Sequence, residues 1–540
     1  MYVIYPYGKI KSVLLRSINK RGETLNFGKI GKIASKNNDM FNHLNTKIII
    51  EMVLKGAIVG LFGGIGGATF RYGIQFMDSF RENLMSYTDV TSVILWIILV
   101  SFLGIIAYFL LKWEPMSGGS GIPQIEGEMM GLFDMRAVPV AVSKYLGGLF
   151  NALAGFSLGR EGPSVQLGGA IGKGVSKLFK STLREERILI SAGAAAGLTA
   201  AFSAPVSGAV FVFEEVHKSF YPKLVIPTFS AVLVSNFVTS VIFDLKPSLG
   251  FSVMKGLPLY YFGHLLLLGV FVGIVGVIFN KVLLGYKTLY NKIKIHNAIK
   301  LVITFIAVSA IGYSYHEILG GGNSLVGMLA QHRYAAMYLF MIICGKIFLT
   351  SFCFGSGVQG GIFLPILVIG ASSGAFMQEI MLTLGMSLPQ YLPQMVICAM
   401  GGILASTIRS PLLSILLVLE MTNSFNNIYA IGTVTIVSYL VAELLKEPPV
   451  YDSLLWRMIK GVVPTSLEQT FFETKIPVTS TKTGKKLKEL GIPQHILIVS
   501  IERLGAHIVP DANTTLQVGD SLSVSCPKKA LKETKKFFKT

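Results

Sequence analysis

Gly159-Arg160-Glu161-Gly162-Pro163 opens a run, residues 159–169, that sets a guanidinium and a carboxylate among glycines in a stretch otherwise apolar enough for a bilayer. Charge is costly in hydrocarbon, and where it persists it marks a functional position. Two similar runs recur: Gly119-Ser120-Gly121-Ile122-Pro123 and Gly360-Gly361-Ile362-Phe363-Leu364-Pro365. Their glycines and prolines suit interrupted helix starts, whose free N–H groups and about half a unit of positive charge bind an anion yet let it leave. Glycine lets the backbone approach the ion, and serine or tyrosine hydroxyls add donors without adding charge. An ionised Glu161 has the sign of an anion and can occupy such a site itself; protonation would release it. The plainer reading of Arg160 and Glu161 is an ion pair, but adjacent residues do not face each other on a helix, and the flanking Gly159, Gly162 and Pro163 favour a specialised helix start.

The elements that position these runs must lie in a membrane. Of 540 residues, 52% are hydrophobic and 14% charged, and the mean hydropathy is +0.60, values outside the soluble class. Apolar runs near 51–77, 91–111, 223–243, 258–285, 299–315, 336–353 and 428–445 approach or exceed the roughly 20 residues that span hydrocarbon as helix. The net charge of +19 is concentrated in residues 1–47 and 446–540, so it reads as basic cytoplasmic flanks rather than as a nucleic-acid surface. Residues 1–47 read as a basic cytoplasmic arm, not a cleaved signal, and both termini are expected in the cytoplasm. Cys344, Cys353 and Cys398 lie in apolar stretches and Cys526 stands alone, so neither a disulfide nor a metal site is expected, and no cofactor.

The membrane body repeats. The segment from Leu198 to Glu214, with Pro205, is echoed from Leu404 to Glu420, with Pro411, at an offset of 411 − 205 = 206. Pro163, Gly168 and Gly172 are echoed by Pro365, Gly370 and Gly374 at an offset of 202. Two related halves are therefore expected, at about 60–250 and 260–450, with a site at their interface on Gly- and Pro-broken helices. Gly60, Gly63, Gly64, Gly66 and Gly67 lack polar neighbours and read as close-packing positions. The basic segment 173–187 suggests a cytoplasmic loop, and Ser203-Ala204-Pro205 a turn that brings Glu215 back to that side.

Beyond about Val462 the composition becomes polar and apolar residues alternate, as in Ile496-Leu497-Ile498-Val499-Ser500-Ile501, which points to a small α/β unit at 461–540. A helix is expected at 485–490, with strands at 496–501, 506–510 and 516–524. This order, with Ile508-Val509-Pro510 and Gly519-Asp520, resembles a TrkA C-terminal (RCK-C) domain, and the resemblance implies a regulatory role and a small ligand such as a cyclic dinucleotide.

The three glycine motifs, in this order, resemble the signature segments of the CLC family of chloride channels and proton-coupled chloride exchangers. The resemblance covers about residues 50–460 and implies an all-α polytopic membrane domain at 48–460 in two inverted halves, assembled as a homodimer. It also implies chloride and protons as the transported species. In the family, the serine at the position of Ser120 and a tyrosine near the end of the body reach chloride with their hydroxyls; Tyr451, in Glu447-Pro448-Pro449-Val450-Tyr451-Asp452, fits that tyrosine. The family's backbone donors map to Ile362 and Phe363, with Arg160 and Gly162 in the motif around the gate. Glu161 corresponds to the external gate and proton carrier, and Glu215 to the internal proton-transfer glutamate of exchangers, where channels generally have a neutral residue. Without the resemblance, Tyr451 would read as an interfacial belt residue, and Glu214 and Glu215 as surface charges balanced by His217 and Lys218. Glu126 is a candidate for supporting the internal route. Gln124 departs from the glutamate common in exchangers. Ser120 argues against the nitrate-preferring members and the fluoride exporters.

Other functions fit less well. A passive voltage- or pH-gated chloride channel on the same fold is disfavoured by Glu215. A cation channel lacks a TVGYG filter. An enzyme reading of 159–169 as a phosphate loop fails because the GxxxxGK[ST] spacing and its lysine are missing. Antiport of chloride against protons in a multi-pass cell-membrane protein is the expected function, and the richness in Lys, Ile and Asn fits a bacterial source.

Overall fold

A computed structural model describes residues 27–539 except 248, 250, 252–255, 460–468, 477–479, 494–495, 504–505, 509 and 528–529, with side chains from Thr46 onward save those of 259, 469–471, 475, 506–507, 532, 536 and 539. Most of the expected N-terminal arm therefore lies outside the described residues. The chain divides into two units, one ending at Tyr451 and the other beginning at Asp452.

The first unit is helical. In its first half, α1 (Phe27–Met85), α2 (Val90–Trp113), α3 (Ile122–Met129), α4 (Ala137–Leu153), α5 (Glu161–Leu178), α6 (Leu183–Phe202), α7 (Pro205–Phe211) and α8 (Pro222–Phe237) follow one another. The second half contains α9 (Phe262–Lys292), α10 (Asn297–Ser314), α11 (Asn323–Gln331), α12 (Ala336–Gly355), α13 (Phe363–Thr383), α14 (Leu392–Ile408), α15 (Pro411–Thr422) and α16 (Ile428–Leu444). Among the described residues, nine helices are long and apolar enough to cross a membrane. Seven coincide with the expected apolar runs. The other two, ending at Thr383 and Ile408, are the most deeply buried of the nine, and their Gly, Ser and Cys content hid them from a search for uniformly apolar segments. On α2, Ile94, Leu95, Ile98, Phe102 and Phe109 are exposed, an apolar belt suited to lipid.

Small residues set the helix spacing. Gly56, Gly60 and Gly64 lie one turn apart on α1 and meet the backbone of Pro227, Ala231 and Ser235, one turn apart on α8, so closely that a Cβ would overlap it. Gly63 and Gly67 face the Cβ atoms of Ala196 and Ala200 of α6, which an added Cβ would meet at 3.1 Å in the first case and overlap in the second.

The two halves answer each other in detail. Helix α6 ends at Ser203 in the left-handed region (φ 57°) and α7 starts with Pro205; α14 ends at Arg409 (φ 65°) and α15 starts with Pro411. Proline at the first helical position gives up an N–H that has no helical partner in any case. Glu214 accepts hydrogen bonds from the N–H groups of Leu412 (3.1 Å) and Leu413 (2.7 Å), while Glu420 accepts from those of Val206 (3.0 Å) and Ser207 (2.7 Å). Donor and acceptor pairs are both related by 206 (420 − 214, 412 − 206 and 413 − 207), as a two-fold relation between inverted halves requires. Glu214 is therefore a cap on the other half's helix, not a surface charge balanced by His217.

Residues 173–187 are not a loop. They complete α5 and begin α6, with only four residues between the helices, and Lys173 is buried in ion pairs with Glu128 and Asp134, both at 2.5 Å. Capping by Thr182, paired with Glu185, starts α6 where a longer connection was expected.

After α17 (Val450–Ile459), the second unit holds β1 (Gln469–Lys475), β2 (Leu497–Arg503), β3 (Ala506–Ile508), β4 (Ser521–Pro527) and α18 (Leu531–Lys539) in an antiparallel sheet of order β1-β4-β2-β3. Ile476, Ile498, Ile501, Leu516, Leu522, Val524 and Phe538 form its own core. Two expectations change here. The helix at 485–490 is a single 3-10 turn, Leu487–Glu489, and 516–520 is a turn rather than strand, because Asp520 folds back to accept from the Gln517 N–H and from Arg503. Strand β1 and helix α18 were not foreseen.

Candidate functional site

The three glycine motifs, far apart in sequence, are tied together through their backbones. Gly159 N–H donates to the Gly361 carbonyl (2.6 Å) and Gly361 N–H returns a bond to Gly159 (2.7 Å); Gly119 N–H donates to Val358 (3.0 Å) and Gly360 N–H to Gly119 (3.0 Å). Close approach needs glycine. A Cβ on Gly162 would overlap Ser120, and one on Gly361 would lie 2.9 Å from the Gly162 nitrogen. Gly121 has φ 105°, open to glycine and strained for other residues, and it turns the chain into α3.

Two helix starts converge on this junction. Helix α5 begins at Glu161 and α13 at Phe363, with Arg160 and Ile362 as N-cap residues, and no side chain caps either. Within this frame Glu161 is fully buried, and neither carboxylate oxygen makes a hydrogen bond of normal geometry. Its Oε2 sits in the space beside Gly159 and the Leu364 nitrogen, so that the amides of Leu364 and of Glu161 itself face the carboxylate without closing to hydrogen bonds. The Arg160 guanidinium is 4.0 Å away, the outer edge of an ion pair. The neighbour pairing weighed from sequence is therefore present but loose.

Ser120 and Tyr451 complete the group. Both hydroxyls are buried and turned towards each other, and neither forms a hydrogen bond of normal geometry. Tyr451, in the first turn of α17, is fully buried, which rules out the belt position. It lies within electrostatic reach of Glu215, Glu161 and Glu126. The Phe363 ring packs on Phe202, with centroids 5.9 Å apart, which leaves its amide at the start of α13. Gln124 turns inward: its Oε1 accepts from the Gly121 N–H (3.1 Å) and its amide donates to the Gly118 carbonyl (2.6 Å), so it braces the Ser120 turn.

Two cavities flank the group. One, about 340 Å³ including open solvent and with room for little more than a water, is lined by Asp78, Gly159, Arg160, Pro163 and Gly360. The other, about 710 Å³ including open solvent, is lined by Glu214, Glu215, Lys218, Arg409, Ser410 and Pro449. Glu215 thus stands apart from the glycine junction. It is buried (3% exposed), lies in a π-helical turn (Val212–Val216) and accepts a hydrogen bond from Ser410 Oγ. Such turns recur at functional positions.

Several supporting residues escaped the sequence reading. Lys144, fully buried, donates to the Gly119 carbonyl (2.8 Å), and Lys346, also fully buried, donates to Gly320 (3.0 Å). Gln166 donates to Met116 (2.7 Å) and Asn151 to the carbonyl of Gln359 (2.7 Å). A lysine within an apolar run was the available signal for the first two. For Glu420 the signal was the 206-residue repeat itself.

Residues 102–443 match the family described as voltage gated chloride channel, and residues 471–539 match the TrkA-C domain. The chain is 32% identical over 461 residues to the H(+)/Cl(-) exchange transporter ClcA of Vibrio cholerae, covering 80% of this chain and 95% of that one. It is 32% identical over 431 residues to the protein of that name from Citrobacter koseri, covering 76% and 90%. Among solved structures, a slow cyanobacterial Cl-/H+ antiporter is similar with a TM-score of 0.72 and 28% identity, covering 76% of this chain and 98% of that one. A CLC-type fluoride/proton antiporter shares the fold (TM-score 0.64, 20% identity, covering 74% and 97%). This chain belongs to the voltage-gated chloride channel, or CLC, family. It is a multi-pass membrane protein with a C-terminal TrkA-C domain.

Proposed function

We propose that this protein is a secondary active antiporter that moves chloride across a membrane in exchange for protons. One observation carries the reading: a fully buried carboxylate, Glu161, lies over the uncapped start of a helix, beside buried serine and tyrosine hydroxyls. In this reading the amides of Ile362 and Phe363 and the hydroxyls of Ser120 and Tyr451 receive chloride, with Gly162 allowing the close approach and Arg160 favouring anions near the gate. Glu161 is the external gate, which competes with chloride when ionised and withdraws when protonated. Glu215, at the wall of a separate cavity, relays protons on the inner side without entering the anion path. The names of the ClcA relatives and of the cyanobacterial antiporter support exchange over passive conduction.

The basic flanks support cytoplasmic termini, and family likeness supports a homodimer and a cell-membrane location. The C-terminal unit is regulatory in this reading, with a small ligand such as a cyclic dinucleotide. An exposed hollow lined by Leu487, Lys488, Ile496, Pro510 and Asp511 is the candidate place for it.

The deciding experiment is the reversal potential of chloride flux in liposomes under a pH gradient. Coupled exchange shifts it with the gradient, and Glu215→Gln removes the shift while current persists. A wild-type reversal potential that ignores the pH gradient would establish a chloride channel instead.

A further inference from the structure

The first residue before α15, Ser410, stands where a capping hydroxyl is expected, yet it does not cap. The N–H groups it would serve, on Leu412 and Leu413, are taken by Glu214 of the other half. Its hydroxyl is instead turned to the carboxylate of Glu215, to which it donates a hydrogen bond, and both residues are buried. The repeat supplies an internal control. At the corresponding start of α7 the residue is Ala204, and Glu420 caps the helix in the same manner with no N-cap hydroxyl present. A serine is therefore not needed to begin this kind of helix. The position matching Glu215, 215 + 206 = 421, is Met421. Hydroxyl and second carboxylate occur together at one of the two symmetry-related helix starts and are both missing from the other.

We propose that Ser410 is a positioning residue for proton transfer, holding the Glu215 carboxylate at the wall of the cavity that it shares with Lys218 and Arg409. The inference rests on the reading of Glu215 as the inner relay. A hydroxyl both donates and accepts, so it donates to the ionised carboxylate and accepts from the protonated one, and the side chain keeps one place through the whole cycle. The other charged groups facing the cavity cannot do this. Glu214 is committed to two amides, and the Arg409 guanidinium to the Ser406 and Glu447 carbonyls and to Glu443, 3.1 Å away. Lysine and arginine only donate, so neither could follow Glu215 through protonation.

The test uses the full-length protein in liposomes, with chloride flux and chloride-driven proton transport recorded on the same vesicles. Ser410→Ala is expected to lower protons moved per chloride about ten-fold, the effect of losing one hydrogen bond to a charged group, while chloride flux continues. Ser410→Thr, which restores the hydroxyl, is expected to restore the ratio. Wild-type coupling in Ser410→Ala would overturn the proposal, as would an equal fall in both fluxes, which would make Ser410 a scaffold residue. Glu215→Gln separates the two levels. If it retains proton transport, the relay reading itself fails; if it loses proton transport while Ser410→Ala stays fully coupled, only the role of Ser410 fails.

Discussion

At the scale of single residues, the proposed gate is a carboxylate of the same sign as the ion it would admit. Glu161 is buried with no hydrogen-bond partner for either oxygen, in a place where the backbone offers amides to a negative charge. Glu161→Gln keeps the shape and removes both the charge and the exchangeable proton. Chloride flux in that variant is expected to persist within about an order of magnitude while losing its pH dependence, and chloride-driven proton transport to fall to background. Paired flux measurements across acidic and neutral pH check this; proton pumping that survives in Glu161→Ala would take the gate role from this residue. Glu161 was legible in the sequence because a charged doublet among glycines is conspicuous in an apolar chain. Lys144 and Lys346 stood out only as lysines in apolar runs, since what they hold, the Gly119 carbonyl for one and the Gly320 carbonyl and Ser157 hydroxyl for the other, is brought to them by the fold.

Whole elements are positioned by glycines used as contact surface. The α1 and α8 helices touch through matched one-turn steps, Gly56, Gly60 and Gly64 on Pro227, Ala231 and Ser235, and backbone has no rotamer with which to yield. Gly60→Val should therefore cost about 1–3 kcal/mol through forced separation and lower the thermal midpoint of the detergent-solubilised protein. Gly285→Ala on α9, where nothing lies within 4 Å of the added Cβ, should leave the midpoint unchanged or raise it. Equal midpoints for Gly60→Val and wild type would mean that the helices are not held at this distance. The glycine cluster signalled close packing from sequence, but the partner helix could not be read from it. The same limit applied to residues 173–187, which looked like a loop until Glu128 and Asp134 neutralised Lys173.

For the whole molecule, the division of the chain matters. Every residue assigned to chloride or proton movement precedes Asp452, and the C-terminal sheet closes a core of its own. A chain truncated after about Val462 is expected to fold and to retain chloride flux, with regulation lost. Liposome flux together with size-exclusion chromatography tests this, and a monodisperse truncated protein without any flux would count against a purely regulatory unit.

The sequence by itself determined the solvent class, through apolar runs of bilayer length, and the paired halves, through echoes at offsets of 202 and 206. It also singled out three glycine motifs, because their composition suits helix starts that bind anions, and the strand periodicity of the tail. Only the tertiary structure decided that the motifs meet. It also showed that Glu214 and Glu420 exchange helix caps and that Ser410 turns to Glu215. Contacts between residues some 200 positions apart leave no local periodicity, and whether a hydroxyl caps its own helix or serves a neighbour depends on which groups the fold has already satisfied.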